Sequence, residues 1–344
     1  MARSAMRTAV WSLPVVVGLM VFARVAPTEP SREGQGTRRF EPVTWVRTGG
    51  IAPSLDSGPL SPLSISADGG SLILYDYGDQ RLKAYDRTGS PVWTVGGGGE
   101  GPGEFQNPTD VEIDGHGGVW VLDPGGGRIE VFHADGRLDR TIALGSEAER
   151  IAPLNGGGFL LDSSRPGALL RVYDASGTET DQVPVPSVFA DVPARARELW
   201  LVVDPAGECG IVLFLYSDRV VESCGPRSWA PSVFRGIERE EFPRLLTFHA
   251  FGGIVERLDP DAHKAALDGT VVGDSLFVLY AGETEKGGRI LDEYVLPTGR
   301  YVRSYLLPFK AHAFAWTGRD FAFLSLEPVP EVRILRRAPR APSD

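Results

Sequence analysis

From about residue 61 to residue 177, apolar positions come in short runs that alternate with polar ones. Clusters of Gly, Asp, Asn and Pro break these runs at regular places. Alternation at period two marks half-buried strands, and the breakers mark turns. One unit recurs: a strand, a Gly-containing turn, an apolar strand closing on Asp or Tyr, a loop, another strand and a second Gly turn. Ser64 to Asp76 with Arg81 to Gly89 is matched by Asp110 to Asp123 with Arg128 to Gly136, and by Ile151 to Asp162 with Leu170 to Gly177. Looser copies follow: Trp200 to Asp204 with Ile211 to Tyr216 and Arg219 to Gly225, then Gly269 to Val272 with Ser275 to Tyr280 and Ile290 to Gly299. The sixth is His312 to Trp316 with Asp320 to Ser325 and Val332 to Arg336.

Repeats of this length, with four strands each, predict an all-β fold, a six-bladed β-propeller, because a single blade cannot bury its two faces without neighbours. Asp68-Gly69, Asp114-Gly115 and Asn155-Gly156 are expected to form tight hairpin turns with both central residues at positive φ. The first complete blade ends in Pro91 to Gly97, an outer strand of apolar-Trp-Val-Gly-Gly character. The last copy has no such strand, and Val43 to Gly50 has the same character, so it is expected to complete the sixth blade and cover its edge.

Composition agrees with this picture and narrows the partners. The 344 residues include 42 Gly and 27 Pro, and the formal charge is −10. With no basic patch to meet phosphates, the chain is not expected to bind nucleic acid. Residues 1–23 have the layout of a bacterial-type signal peptide: Arg3 and Arg7, an apolar run from Ala9 to Phe22, and a small-residue site closing on Ala23. The run is shorter than the ~20 residues of a membrane-spanning helix, so no membrane span is expected in the mature chain; an uncleaved anchor is the alternative. Residues 24–39 read as a disordered spacer, 40–338 as the propeller and 339–344 as a tail. The expected location is therefore periplasmic or secreted, with a monomeric chain. Export makes the two cysteines informative, since disulfides persist in oxidising compartments. Cys209 and Cys224 flank two strands that fold about Tyr216 to Asp218, which places the pair opposite each other; a cross-strand disulfide is expected, with two free buried thiols as the alternative. Insertions lie near 186–198 and 228–266. Arg235 to Pro243 and Pro260 to Leu267 read as partly helical, and such insertions could cap one face of the ring.

Blade two carries a resemblance to a known family. Gly99 to Phe105, Pro108, Val111 to Asp114, Gly118 to Asp123 and Arg128 to Phe132 give a Gly-rich lead-in with Phe, a Pro before the inner strand, a Gly-aromatic-Val-x-Asp strand and an Arg-Ile-x-x-Phe strand. This run resembles the NHL-repeat propellers, strongly from about Ser61 to Gly177. Some proteins resembling that family are hydrolases or lyases acting through a metal in the central channel, and this resemblance implies that such an activity must be weighed here.

The innermost strands of a propeller converge on its channel. Aligning the copies puts Ser64, Asp110, Arg150 (beside Ile151), Trp200, Asp268 and His312 at equivalent ring positions at one mouth, a polar set with Trp200 as an apolar platform, and so a candidate ligand site. The partner of a non-catalytic binding scaffold built this way would be a protein, peptide or glycan. The enzyme alternative would use Asp110, Asp268 and His312 to hold Ca or Zn. Zinc needs several imidazoles and calcium six to eight oxygens. Of the five His, His116 and His133 fall in turns expected to lie away from the axis, and His249 and His263 fall in the insertion. Gly96 to Gly103 lacks a following Lys-Ser or Lys-Thr and reads as a connection between blades, not a phosphate loop. Asp76, Asp123 and Asp162 end second strands and read as acceptors for backbone N–H groups.

Overall fold

The computed structural model describes residues 37–53, 62–67, 70–144, 147–225, 228–238, 240–250, 253–282, 286–296 and 298–339, with the backbone alone at 62–67, 249–250 and 253. The signal-peptide reading and nearly all of the expected spacer lie outside these residues. So do Asp68-Gly69 and the last five residues of the tail. No helix among the described residues is long and apolar enough to cross a membrane.

Six four-stranded antiparallel sheets form six blades. Blade 1 is Pro62–Ala67, Ser71–Asp76, Arg81–Asp86 and Pro91–Gly96, and blade 2 is Asp110–Ile113, Val119–Asp123, Arg128–Phe132 and Leu138–Ala143. Blade 3 is Ile151–Pro153, Phe159–Asp162, Ala168–Tyr173 and Glu179–Pro184, and blade 4 is Leu199–Val203, Cys209–Phe214, Ser217–Cys224 and Ser232–Arg235. Blade 5 is Ala266–Val272, Ser275–Tyr280, Ile290–Val295 and Arg300–Leu306. Blade 6 is Ala313–Trp316, Phe321–Ser325 and Glu331–Pro339, with Val43–Ile51 as its fourth strand. The six inner strands touch one another in cyclic order, blade 6 against blade 1 included.

Stacking explains the sequence pattern. Second strands such as Val119–Asp123 are buried along their whole length because both faces of a blade meet a neighbour. An apolar cluster fills each seam: Tyr75, Phe105 and Val111 between blades 1 and 2, Trp120 and Phe159 between 2 and 3, Leu170 and Phe214 between 3 and 4. Leu213 and Tyr294 meet between 4 and 5, Phe277 and Phe323 between 5 and 6, and Ile334 and Leu72 between 6 and 1. The Gly-rich run before Phe105 is the connection expected from the sequence: it folds back on itself through Phe105 N–H to Gly97 O (2.9 Å) and Gly99 N–H to Phe105 O (3.0 Å).

The ring closes as the repeat logic requires. Val43–Ile51 pairs antiparallel with Glu331–Pro339 from Val43 opposite Pro339 to Ile51 opposite Val332, with an irregularity between Arg47 and Gly49. Trp45 meets Tyr305, Phe321 and Phe323 edge-on and donates through Nε1 to Leu306 O at 2.9 Å. Cys209 stands opposite Cys224 in the ladder, and the two are disulfide-bonded, as the cross-strand reading expected.

Two local expectations are corrected. Neither Asp114-Gly115 nor Asn155-Gly156 places both residues at positive φ; at the second site Asn155–Gly157 form a 3₁₀ turn in which Gly156 (83°) and Gly157 (82°) take that region. Asp114 begins a longer turn whose positive-φ residue is Gly117, at 81°, and its Oδ1 accepts from His116 N–H (2.9 Å) and Gly118 N–H (2.8 Å). The same Asp-x-x-Gly turn recurs at Asp86 with Gly89, Asp174 with Gly177 and Asp204 with Gly207, the carboxylate taking up the turn's own N–H groups each time. The described residues of 228–266 hold no helix. They supply the outer strand of blade 4, Ser232–Arg235, and a separate hairpin, Leu245–Ala250 with Gly253–Leu258. The third strand of blade 4 needs a partner along its open edge, and Val233 and Phe234 are drawn into the flanking cores. The Gly252-Gly253 pair between β-branched and aromatic residues then favours a hairpin over a helix. Residues 186–198 hold two short 3₁₀ turns, Ser187–Phe189 and Ala194–Ala196, with Phe189 buried against Phe214 and Phe242.

Candidate functional site

Four of the aligned rim residues, Asp110, Arg150, Trp200 and Asp268, lie at or beside the starts of the inner strands and are engaged with each other or with backbone. Asp110 Oδ2 accepts from Ile151 N–H at 2.9 Å, so blade 2 grips blade 3, while Oδ1 accepts from Val111 N–H at 3.1 Å. Asp268 does the same between blades 5 and 6: Oδ2 accepts from Phe314 N–H at 2.7 Å and Oδ1 from Gly269 N–H at 2.8 Å. Arg150 lies with its guanidinium carbon 4.2 Å from the centre of the Trp200 ring and donates to Thr109 O and Glu149 O. Trp200 Nε1 donates to Ala266 O at 3.2 Å. This level therefore ties the blades together. Arg150 occupies one face of the Trp200 ring, which remains partly exposed.

Burial raises both carboxyls. Asp110, 6% exposed, is pushed up to about 6 by desolvation, which the Arg150 charge and the two N–H groups oppose. Asp268 is pushed up to about 7 by desolvation, against its two N–H donors, with the Asp110 charge adding to the rise and Arg150 opposing it. His312 lies apart, half-buried, with Nδ1 enclosed and its imidazole pKa lowered by desolvation. Ser64 pairs through its backbone opposite Tyr75, and its side chain lies outside the described residues.

The three expected metal ligands are not gathered into a donor set. Both oxygens of Asp110 and of Asp268 already accept backbone N–H groups. Among the described residues, the one group of three His, Cys, Asp or Glu ligand atoms within 4.8 Å of one another is Cys209, Glu222 and Cys224, whose sulfurs are bonded to each other. Asp76, Asp123 and Asp162 act as the sequence suggested, accepting Gly78 N–H, Asn107 N–H and Arg150 N–H respectively.

The space that could take a ligand lies further along the channel, toward the turns that follow the inner strands. A cavity of about 650 Å³ is lined by residues from blades 2 to 6. Asp268 and Phe314 line its inner part. Glu112, Thr270 and Trp316 line its walls, and Asp114, His116, Asn155 and Asp204 line it at the turns. The charged side chains among these are acidic, and no Lys or Arg belongs to the described lining. His116 borders this cavity from the turn after the inner strand of blade 2, and His133 has Nε2 3.3 Å from Asp139 Oδ1. Glu112 and Thr270 lie two residues beyond the ring position that repeat alignment brings together. Side chains two apart on a strand share a face, so Asp110 and Glu112, or Asp268 and Thr270, were available as pairs.

The fold places the chain in a definite class: a six-bladed β-propeller closed by its N-terminal strand. No protein-family model matches it, and no curated protein matches its sequence. Solved structures share the fold at low identity. A protein of Bacteroides fragilis described as exported superposes with a TM-score of 0.51 at 12% identity, covering 87% of this chain and 95% of its own. The Cps50 (Swd1) β-propeller domain of Myceliophteria thermophila gives 0.51 at 13% identity, covering 85% and 99%. Virginiamycin B lyase of Staphylococcus aureus gives 0.50 at 12% identity, covering 86% and 99%.

Proposed function

We propose that this chain is an exported, NHL-like propeller that binds a ligand without transforming it, and that the ligand enters the channel cavity and carries positive charge. The observation that carries the reading is the lining of that cavity: Glu112, Asp114, Asp204 and, above about pH 7, Asp268 converge from three blades with no cation among the described lining, and the half-buried Trp316 contributes aromatic surface. Acidic groups in a concave, low-dielectric space sum to a potential that concentrates cations, and a volume of about 650 Å³ suits a small molecule or a peptide side chain. The Trp316 ring adds a surface on which an ammonium or guanidinium group can rest. Export is supported by the leader-like residues 1–23 and by the disulfide.

Calorimetric titration tests this with spermidine as the cationic probe and citrate as the anionic control. Spermidine is expected to bind and citrate not to. Glu112→Ala should weaken spermidine about tenfold, the loss of one charge contact of roughly 1.4 kcal/mol, with the thermal transition unchanged. Equal binding of the two probes, or an unaffected Glu112→Ala variant, would overturn the reading.

A further inference from the structure

Away from the channel, the seam between blades 4 and 5 holds a charged side chain brought in from outside either blade. Arg38 precedes the closing strand, and its guanidinium lies among Glu238, Tyr280, Asp292 and Tyr294. It meets Asp292 in a forked arrangement, Nε to Oδ1 at 3.0 Å and Nη2 to Oδ2 at 2.7 Å, and its third nitrogen pairs with Glu238. The guanidinium carbon lies 4.3 Å from the centre of the Tyr280 ring. Asp292 is 2% exposed and is held in place by Ser304, whose Oγ donates to Oδ1 at 2.5 Å and lies 2.7 Å from Tyr301 OH.

The backbone around Arg38 is recognised as well. Arg39 N–H donates to Tyr301 OH at 2.9 Å, Ser304 N–H donates to Arg39 O at 2.9 Å, and Glu41 N–H donates to Ser304 O at 2.9 Å. Phe40 thus bridges to Ser304 in parallel, on the outer strand of blade 5, whereas every pairing within the blades is antiparallel. Blade 5 is complete with its own four strands, and residues 39–41 lie on its edge through one parallel bridge, the kind of contact by which sheets capture extended peptides. A planar cation, a buried carboxylate matching its fork, an aromatic face and a sheet edge together select arginine over lysine.

We propose that this seam is a recognition socket for an arginine carried on an extended peptide, filled in cis by Arg38 and open to an arginine-bearing partner segment when residues 38–41 lift away. The site is separate from the channel cavity and does not depend on the reading of that cavity.

The test is chemical rescue of an emptied socket in the full chain. Arg38→Ala should lower the melting temperature, millimolar ethylguanidinium should restore at least half of the loss, and ethylammonium should restore none. Arg38→Lys keeps the charge and guards against a variant that fails to fold; it too should melt below the parent. A peptide of residues 37–42 should bind Arg38→Ala at least tenfold more tightly than it binds the parent, whose socket is filled, and the same peptide with Ala in place of its first Arg should not bind. Equal rescue by the two cations, rescue by neither, or equal peptide binding to variant and parent overturns the socket.

Discussion

Deleting Val43–Ile51 is expected to remove the cooperative thermal transition altogether, leaving a broad, sloping melt by far-UV circular dichroism in place of a single sigmoid. The strand is the fourth strand of blade 6, and among the described residues nothing else pairs with the outer edge of Glu331–Pro339, which would be left open without it. It also carries part of the last seam. Ile51, 5% exposed, belongs to the apolar cluster between blades 6 and 1, and Thr48 Oγ1 donates to Asp320 Oδ2 at 3.0 Å. Gly50 N–H donates to Thr88 O of blade 1 at 3.0 Å. Losing a buried Trp costs ~3–5 kcal/mol, with the half-buried Trp45 toward the lower end. Adding Ile51 and the ladder bonds takes the total into the range of a whole domain's stability, about 5–15 kcal/mol. A point variant reaches the same seam without deletion. Gly89 sits at φ 92°, and a Cβ there would lie 2.3 Å from Gly50 O, so Gly89→Val strains the turn and pushes the closing strand away. A melt of either variant that stays two-state within a few degrees of the parent would show that the ring does not depend on this strand.

The closing strand was legible because its chemistry repeats. Val43 to Gly50 shares the Trp-Val-Gly-Gly character of Pro91 to Gly97, and an outer strand has one position it can take in a blade. The disulfide was legible for a similar reason, since a short turn fixes the register of the hairpin that carries Cys209 and Cys224. The hairpin Leu245–Leu258 was not, because short amphipathic runs fit helical and strand periods alike and tertiary demand decided between them. The site was legible only in part. Sequence alignment put Asp110, Arg150, Trp200 and Asp268 at one level of the channel, and the structure puts them in one network. Alignment could not show that this network ties the blades to each other, because that depends on which backbone N–H of the next blade lies within 3 Å of each carboxylate. One register step further, the same alternation places Glu112 and Thr270 on the walls of the cavity.

That network makes stability fall as pH rises from about 4 to 8. Asp110 and Asp268 have folded-state values near 6 and 7 against a usual 3.8, so between those limits the folded chain holds protons that the unfolded chain has released. Stability from these groups is therefore fully present below about 3.8 and is lost as pH climbs through 6 and 7. At 1.36 kcal/mol per pKa unit, Asp110 accounts for a loss of about 3 kcal/mol. Asp268 adds a loss of similar size, tempered because it lines the water-accessible cavity. Glu130, Asp162 and Glu222, raised by burial, act in the same direction; His312, held below its usual 6.5 by desolvation, opposes them as pH falls below about 6.5, and the carboxylates lowered by hydrogen bonds, Asp86, Asp174 and Asp320, oppose them only below about pH 4. Melting temperatures taken across pH 4 to 8 should accordingly be highest near the acid end. Asp268→Asn should melt lower at pH 5, since its amide cannot accept both the Gly269 and Phe314 N–H groups, yet it should lose less than the parent between pH 5 and pH 8. A parent whose melting temperature rises toward pH 8, or a variant with the parent's slope, would place the pH dependence elsewhere in the ring.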